Sequence, residues 1–88
     1  MTSKIITYDL CKPGANYRSL IDKIKTYDKW AKITESTWFI KSELTCKEVR
    51  DELKMLVDAN DRLFVGELTG TAAWYNILCK NEYLKDNL

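Results

Sequence analysis

The chain has 88 residues, 14 basic against 13 acidic, for a net charge of +1, and 45% of them are apolar. A length of this order makes one domain, residues 1–88, that buries only roughly 60% of the surface its unfolded form exposes, so the core has little margin and self-association would add to it. One proline, three glycines and no histidine exclude low-complexity and disordered classes, a Cys–His nucleophile pair and an imidazole base, and the near-zero charge supplies no bulk attraction for nucleic acid.

Residues 4–9, Lys-Ile-Ile-Thr-Tyr-Asp, are rich in β-branched side chains and run into Lys12-Pro13-Gly14, which predicts a first strand and a turn. Alternation places Ile6 and Tyr8 on one face and Ile5, Thr7 and Asp9 on the other. Asn16 is placed to cap a helix whose Tyr17, Leu20, Ile21 and Ile24 follow the spacing of one buried stripe, ending near Asp28. Residues 30–33 and 37–41 read as the arms of an antiparallel hairpin, with a turn at Thr34-Glu35-Ser36 that no glycine or proline marks, so its register is open.

Thr45-Cys46-Lys47-Glu48 has the form of a capping box, and Val49, Leu53, Leu56 and Val57 continue it as a helix closed by Asn60-Asp61. Residues 63–68 predict a fourth strand, ended by Thr69-Gly70. Residues 73–78 read either as a fifth strand or as a docking arm, and residues 81–88 as a short final helix. The order β-α-β-β-α-β predicts an α+β, ferredoxin-like domain: a four-stranded antiparallel sheet with two helices on one face and a core at about residues 3–70. The strands are apolar on both parities, Ile5 against Ile6 and Phe39 against Ile40. The second sheet face therefore needs a cover, either a second copy of the chain or the tail 71–88 with Trp74 and Tyr75.

No stretch approaches the ~20 apolar residues of a membrane span, and residues 1–6 lack the apolar run of a leader, which predicts a cytoplasmic protein without membrane association. Cys11, Cys46 and Cys79 are odd in number and form no CxxC pair, so free thiols are expected.

The segments Tyr8-Asp9-Leu10, Lys12-Pro13-Gly14, Ser36-Thr37-Trp38 and Asn60-Asp61-Arg62-Leu63, in this order, resemble small uncharacterised relatives of the CRISPR-associated protein-two and VapD-like group. The likeness covers about residues 3–75 and implies the ferredoxin-like fold and a homodimer. The group includes nucleases, non-catalytic adaptors that hold DNA, and toxin–antitoxin components. In it, the aspartate closing the first strand is the proposed metal ligand, a position matched here by Asp9. The resemblance thus implies a Mg²⁺ site, with Asp9 catalytic and paired across a dimer axis, because Mg²⁺ takes one or two carboxylates and retains water as a nucleophile. An aspartate before a Pro-Gly loop also commonly closes an Asx turn, and that alternative stays open.

Lys12 and Arg18 beside the first loop, and Lys32 and Lys41 on the hairpin, are candidate phosphate or nucleic-acid contacts, against the ordinary reading of solvated surface charge. Trp30, Trp38 and Trp74 fit core packing better than base stacking, with a dimer contact equally suited to Trp74. Tyr8 fits a core or interface role, and with Trp74 and Tyr75 of a dimer-docking tail, residues 71–88, it is a candidate for the dimer interface. The group's nucleases carry arginines soon after the aspartate, whereas here Cys11 and Lys12 intervene before Arg18. The expected function is accordingly a dimeric module that binds nucleic acid, a nucleotide or a protein partner without catalysis. A metal-dependent endonuclease of RNA or DNA, or a toxin–antitoxin component, is the alternative.

Overall fold

The computed structural model describes residues 1–11 and 17–88, so the expected Lys12-Pro13-Gly14 turn and the side chain of Asn16 lie outside the described residues. Within them the elements are β1 (Thr2–Asp9), α1 (Arg18–Ile24), β2 (Lys29–Thr34), β3 (Thr37–Ser42), α2 (Cys46–Lys54), β4 (Arg62–Leu68) and α3 (Asn81–Asn87). The strands form one sheet in the order β2-β3-β1-β4, and every neighbouring pair is antiparallel. The fold is α+β. β1 and β3 take the centre because both their parities are apolar, while the edge strands β2 and β4 carry Lys29, Lys32, Arg62 and Glu67, charges that discourage further pairing.

Ile6 and Tyr8 of β1 and Trp38 and Ile40 of β3 pack against Leu20 and Ile24 of α1 and Val49 and Leu53 of α2. The two helical stripes expected from sequence thus cover one face of the sheet. The capping box forms as expected: the Glu48 amide donates to Thr45 Oγ1 at 3.1 Å and the Thr45 amide to Glu48 Oε1 at 2.9 Å. The Thr45 amide bonded to the charged carboxylate, and after it the Thr45 side chain, hold Glu48 below its usual pKa.

Helix lengths differ from expectation. The N-cap of α1 is Tyr17, without a side-chain cap bond, and the helix stops at Ile24 instead of Asp28. There the Lys23 carbonyl accepts from both the Thr26 amide, at 3.0 Å, and the Thr26 hydroxyl, at 2.6 Å. α2 stops at Lys54, yet Leu56 and Val57 still pack on the same core from the turn beyond it. In the β2–β3 hairpin the register shifts between Lys32 and Thr34, a bulge that closes the turn without glycine.

The second face has its own core: Phe39 and Ala31 are buried with Leu84 of α3, and Ile33, Leu68, Trp74 and Tyr83 pack around them. Residues 73–78 form no strand. They run as an irregular arm whose Leu78 amide donates to the Ile33 carbonyl at 2.9 Å, at the outer edge of β2. Asn76 turns the arm at φ 53°, a left-handed conformation that asparagine tolerates better than most residues. Further ties are the Trp74 indole donating to Asn81 Oδ1 at 3.0 Å and the Ser3 hydroxyl donating to the Asn87 carbonyl at 3.1 Å. The tail therefore covers the face for which a second copy was the other candidate.

Buried polar groups accompany the first core. Lys4 is fully buried, its ammonium donating to Thr2 Oγ1 and to the Ser42 carbonyl. Tyr27 is 8% exposed and donates to Glu52 Oε1 at 2.8 Å. Burial, then the hydrogen bond to Glu52, then the charge of Glu52 raise the Tyr27 pKa above its ordinary value. A raised folded-state pKa adds stability that is whole below the unfolded tyrosine value of about 10 and is lost as pH climbs through the higher folded value. Tyr27→Phe, which keeps the ring, should therefore flatten the decline of stability above about pH 10, measured by urea unfolding of both proteins from pH 8 to 11. An unchanged difference between the two across that range would refute the linkage.

Among the described residues no helix is long and apolar enough to cross a membrane. Cys11, Cys46 and Cys79 are free thiols.

Candidate nucleic-acid interface

Asp9 ends β1 directly opposite Arg62, the first residue of β4, and the Arg62 guanidinium donates to Asp9 Oδ2 at 3.2 Å. Both side chains are about three-quarters exposed. A guanidinium held here competes with any cation for the carboxylate, and among the described residues no three His, Cys, Asp or Glu side chains gather into a metal-binding group. A cation at Asp9 would have to displace this guanidinium, and Mg²⁺ can be held through one or two carboxylates with water completing its shell.

The neighbouring carboxylate, Asp61, expected as a helix end and as part of the Asn60-Asp61-Arg62-Leu63 segment, has a structural role that neither reading assigns it. Its Oδ1 accepts from the Cys11 amide at 2.8 Å and from the Tyr17 hydroxyl at 3.2 Å, and its Oδ2 from the Asp58 amide at 2.8 Å. It ties the end of β1, the start of α1 and the turn before β4 together. The segment Asn60-Asp61-Arg62 thus owes its residue types to a junction, with Asp61 as the hub and Arg62 the partner of Asp9.

The other expected contacts scatter. Lys12 lies outside the described residues. Arg18 opens α1 with its Nε 3.8 Å from Asp22 Oδ2, on the solvated side of the helix. Lys41 stands opposite Lys29 on the same parity as Phe39, the face turned away from α1 and α2. Tyr8 is buried in the helix-side core and accepts a 2.9 Å hydrogen bond from the Trp38 indole, Trp74 is half-buried against the second core, and Tyr75 is 87% exposed.

Lys32 is the exception, because the fold collects partners around it. On β2, Trp30 and Lys32 share the parity that faces Trp38 and Ile40 across the hairpin. The Trp30 and Trp38 ring centroids are 6.0 Å apart, tilted by 54°. The Lys25 ammonium stands 5.2 Å from the Trp30 ring centre and the Lys32 ammonium 5.7 Å from that of Trp38. Core packing holds for Trp38, 2% exposed, but Trp30 is 40% exposed because β2 is an edge strand and neither helix reaches over it. Lys25, the C-cap of α1, was not singled out from sequence, since only the turn of residues 25–28 brings it onto a ring five positions further on.

No family model, curated protein or solved structure matches the chain. The surface chemistry of the β2 edge is therefore what a functional reading has to work from. It interleaves aromatic faces with ammonium groups, the combination that lets a protein stack a base and hold a phosphate at once.

Proposed function

We propose that this protein is a small ferredoxin-like module that binds single-stranded nucleic acid through the β2 edge, without catalysis. The fold side of this reading is supported by the order β1-α1-β2-β3-α2-β4 and by β3 lying between β1 and β2, and β1 between β3 and β4, which makes two interleaved β-α-β units. The resemblance to a group that includes non-catalytic nucleic-acid adaptors points the same way.

The observation that carries the function is the exposed Trp30 ring beside Trp38, with Lys25 and Lys32 over the two rings. The non-catalytic clause is supported by the departure from the group's nucleases, which carry arginines soon after the aspartate where this chain has Cys11 and Lys12. Trp30→Ala should weaken binding of a labelled oligonucleotide by about 1–3 kcal/mol, or about 5- to 150-fold, with the thermal transition nearly unchanged. The measurement is fluorescence anisotropy at several salt concentrations, where affinity should fall as salt rises. Undiminished affinity in Trp30→Ala would overturn the interface. Mg²⁺-dependent cleavage by the wild type that Asp9→Asn abolishes would overturn the absence of catalysis and restore the paired-aspartate nuclease.

A further inference from the structure

Beside the interface, a groove of about 300 Å³ opens between the β2 edge and the tail, bordered by Trp30, Ala31 and Lys32 on one side and Leu78, Lys80 and Tyr83 on the other. Its two walls come from parts of the chain about 50 residues apart, brought together where the Leu78 amide bonds to the Ile33 carbonyl. We propose that this groove holds one nucleotide unit, a nucleobase with its phosphate, and that the C-terminal tail is thereby part of the binding site. The inference rests on the interface described above and adds to it the second wall.

The lining suits that ligand. On the β2 wall, Ala31 is small and buried against the second core, and Trp30 and Lys32 on either side of it complete that border of the groove. Pockets that take small ligands combine apolar and aromatic walls with a few placed polar groups, and begin at about 300 Å³. Trp30 is 40% exposed and offers ring surface not already spent on the core, while Tyr83 is anchored edge-on against Phe39 at 6.2 Å and so presents a fixed wall. Lys32 and Lys80 border opposite sides and can approach a phosphate from both. Lys32 is engaged at 3.5 Å by Glu35, but Glu35 is 89% exposed, and an exposed pair of this kind exchanges easily for a phosphate.

The test uses the full chain, with adenosine 5′-monophosphate, adenosine, inorganic phosphate and a labelled oligonucleotide as probes, read by tryptophan fluorescence and by amide shifts in NMR spectra. The monophosphate is expected to bind saturably, to shift residues of both walls, and to bind at least about fivefold tighter than adenosine or phosphate alone. Lys80→Glu, an exposed change at the start of α3, should weaken it about tenfold, and Tyr83→Leu, which retains apolar packing on Phe39, should weaken it with the fold intact. Oligonucleotide binding that depends on Trp30 but is indifferent to Lys80→Glu and Tyr83→Leu would overturn the groove while leaving the interface standing. Absence of binding by both oligonucleotide and mononucleotide would overturn both.

Discussion

Phe39→Ala is expected to lower the free energy of unfolding by about 3–5 kcal/mol, the usual range for removing a buried phenyl ring. Phe39 has no exposed surface, lies edge-on to Tyr83 and packs with Leu84 and Ala31 at the centre of the second face. A loss of that size takes a large share of the roughly 5–15 kcal/mol that holds a domain together. Phe64, 61% exposed on β4, is the control, and Phe64→Ala should change stability by no more than about 0.5 kcal/mol. Urea unfolding of both variants supplies the comparison. Because the cover of Phe39 belongs to the same chain, the wild-type midpoint should not move with protein concentration. A midpoint that climbs with concentration would mean that a second copy completes this core.

Removal of residues 71–88 should have a still larger effect. The truncated chain would bare Phe39, Ala31, Ile33 and Leu68, which now pack with Leu84, Trp74 and Tyr83 of the tail. A contiguous apolar face on so small a sheet is expected either to abolish the cooperative thermal transition or to drive self-association, since few other surfaces remain to bury it. Calorimetry and sedimentation of residues 1–70 would distinguish these two results. A cooperative monomer with an unchanged midpoint would show instead that the tail contributes nothing to the core. The same truncation removes Lys80 and Tyr83, so any surviving chain should also lose the mononucleotide groove.

Much of this architecture is legible from residue types alone, because it depends on neighbours close in sequence. Ile6 and Tyr8 alternate with Ile5 and Thr7, Leu20 and Ile24 fall one helical turn apart, and Thr45 and Glu48 sit at capping-box spacing, and all of them occupy the faces and bonds that this spacing implies. The double apolar parity of β1 and β3 further required that both sheet faces be covered. Candidate site residues were less legible. Lys32 was reachable as a charge on a hairpin, but its value lies in Trp30, Trp38 and Lys25 beside it, which belong to three different elements.

Element identity, the two-sided core and the free state of the thiols were thus determined by the sequence itself, through short-range periodicity and composition. Only the tertiary structure decided that the tail lies on its own sheet, that β2 is an edge and leaves Trp30 at the rim, that Lys4 is enclosed, and that Asp9 faces Arg62. Apart from the β2–β3 hairpin, these depend on contacts between residues 38 to 84 positions apart. Local pattern states that a surface must be buried, but the partner that buries it is selected by strand order and register, where one exchange of neighbours would place every contact elsewhere.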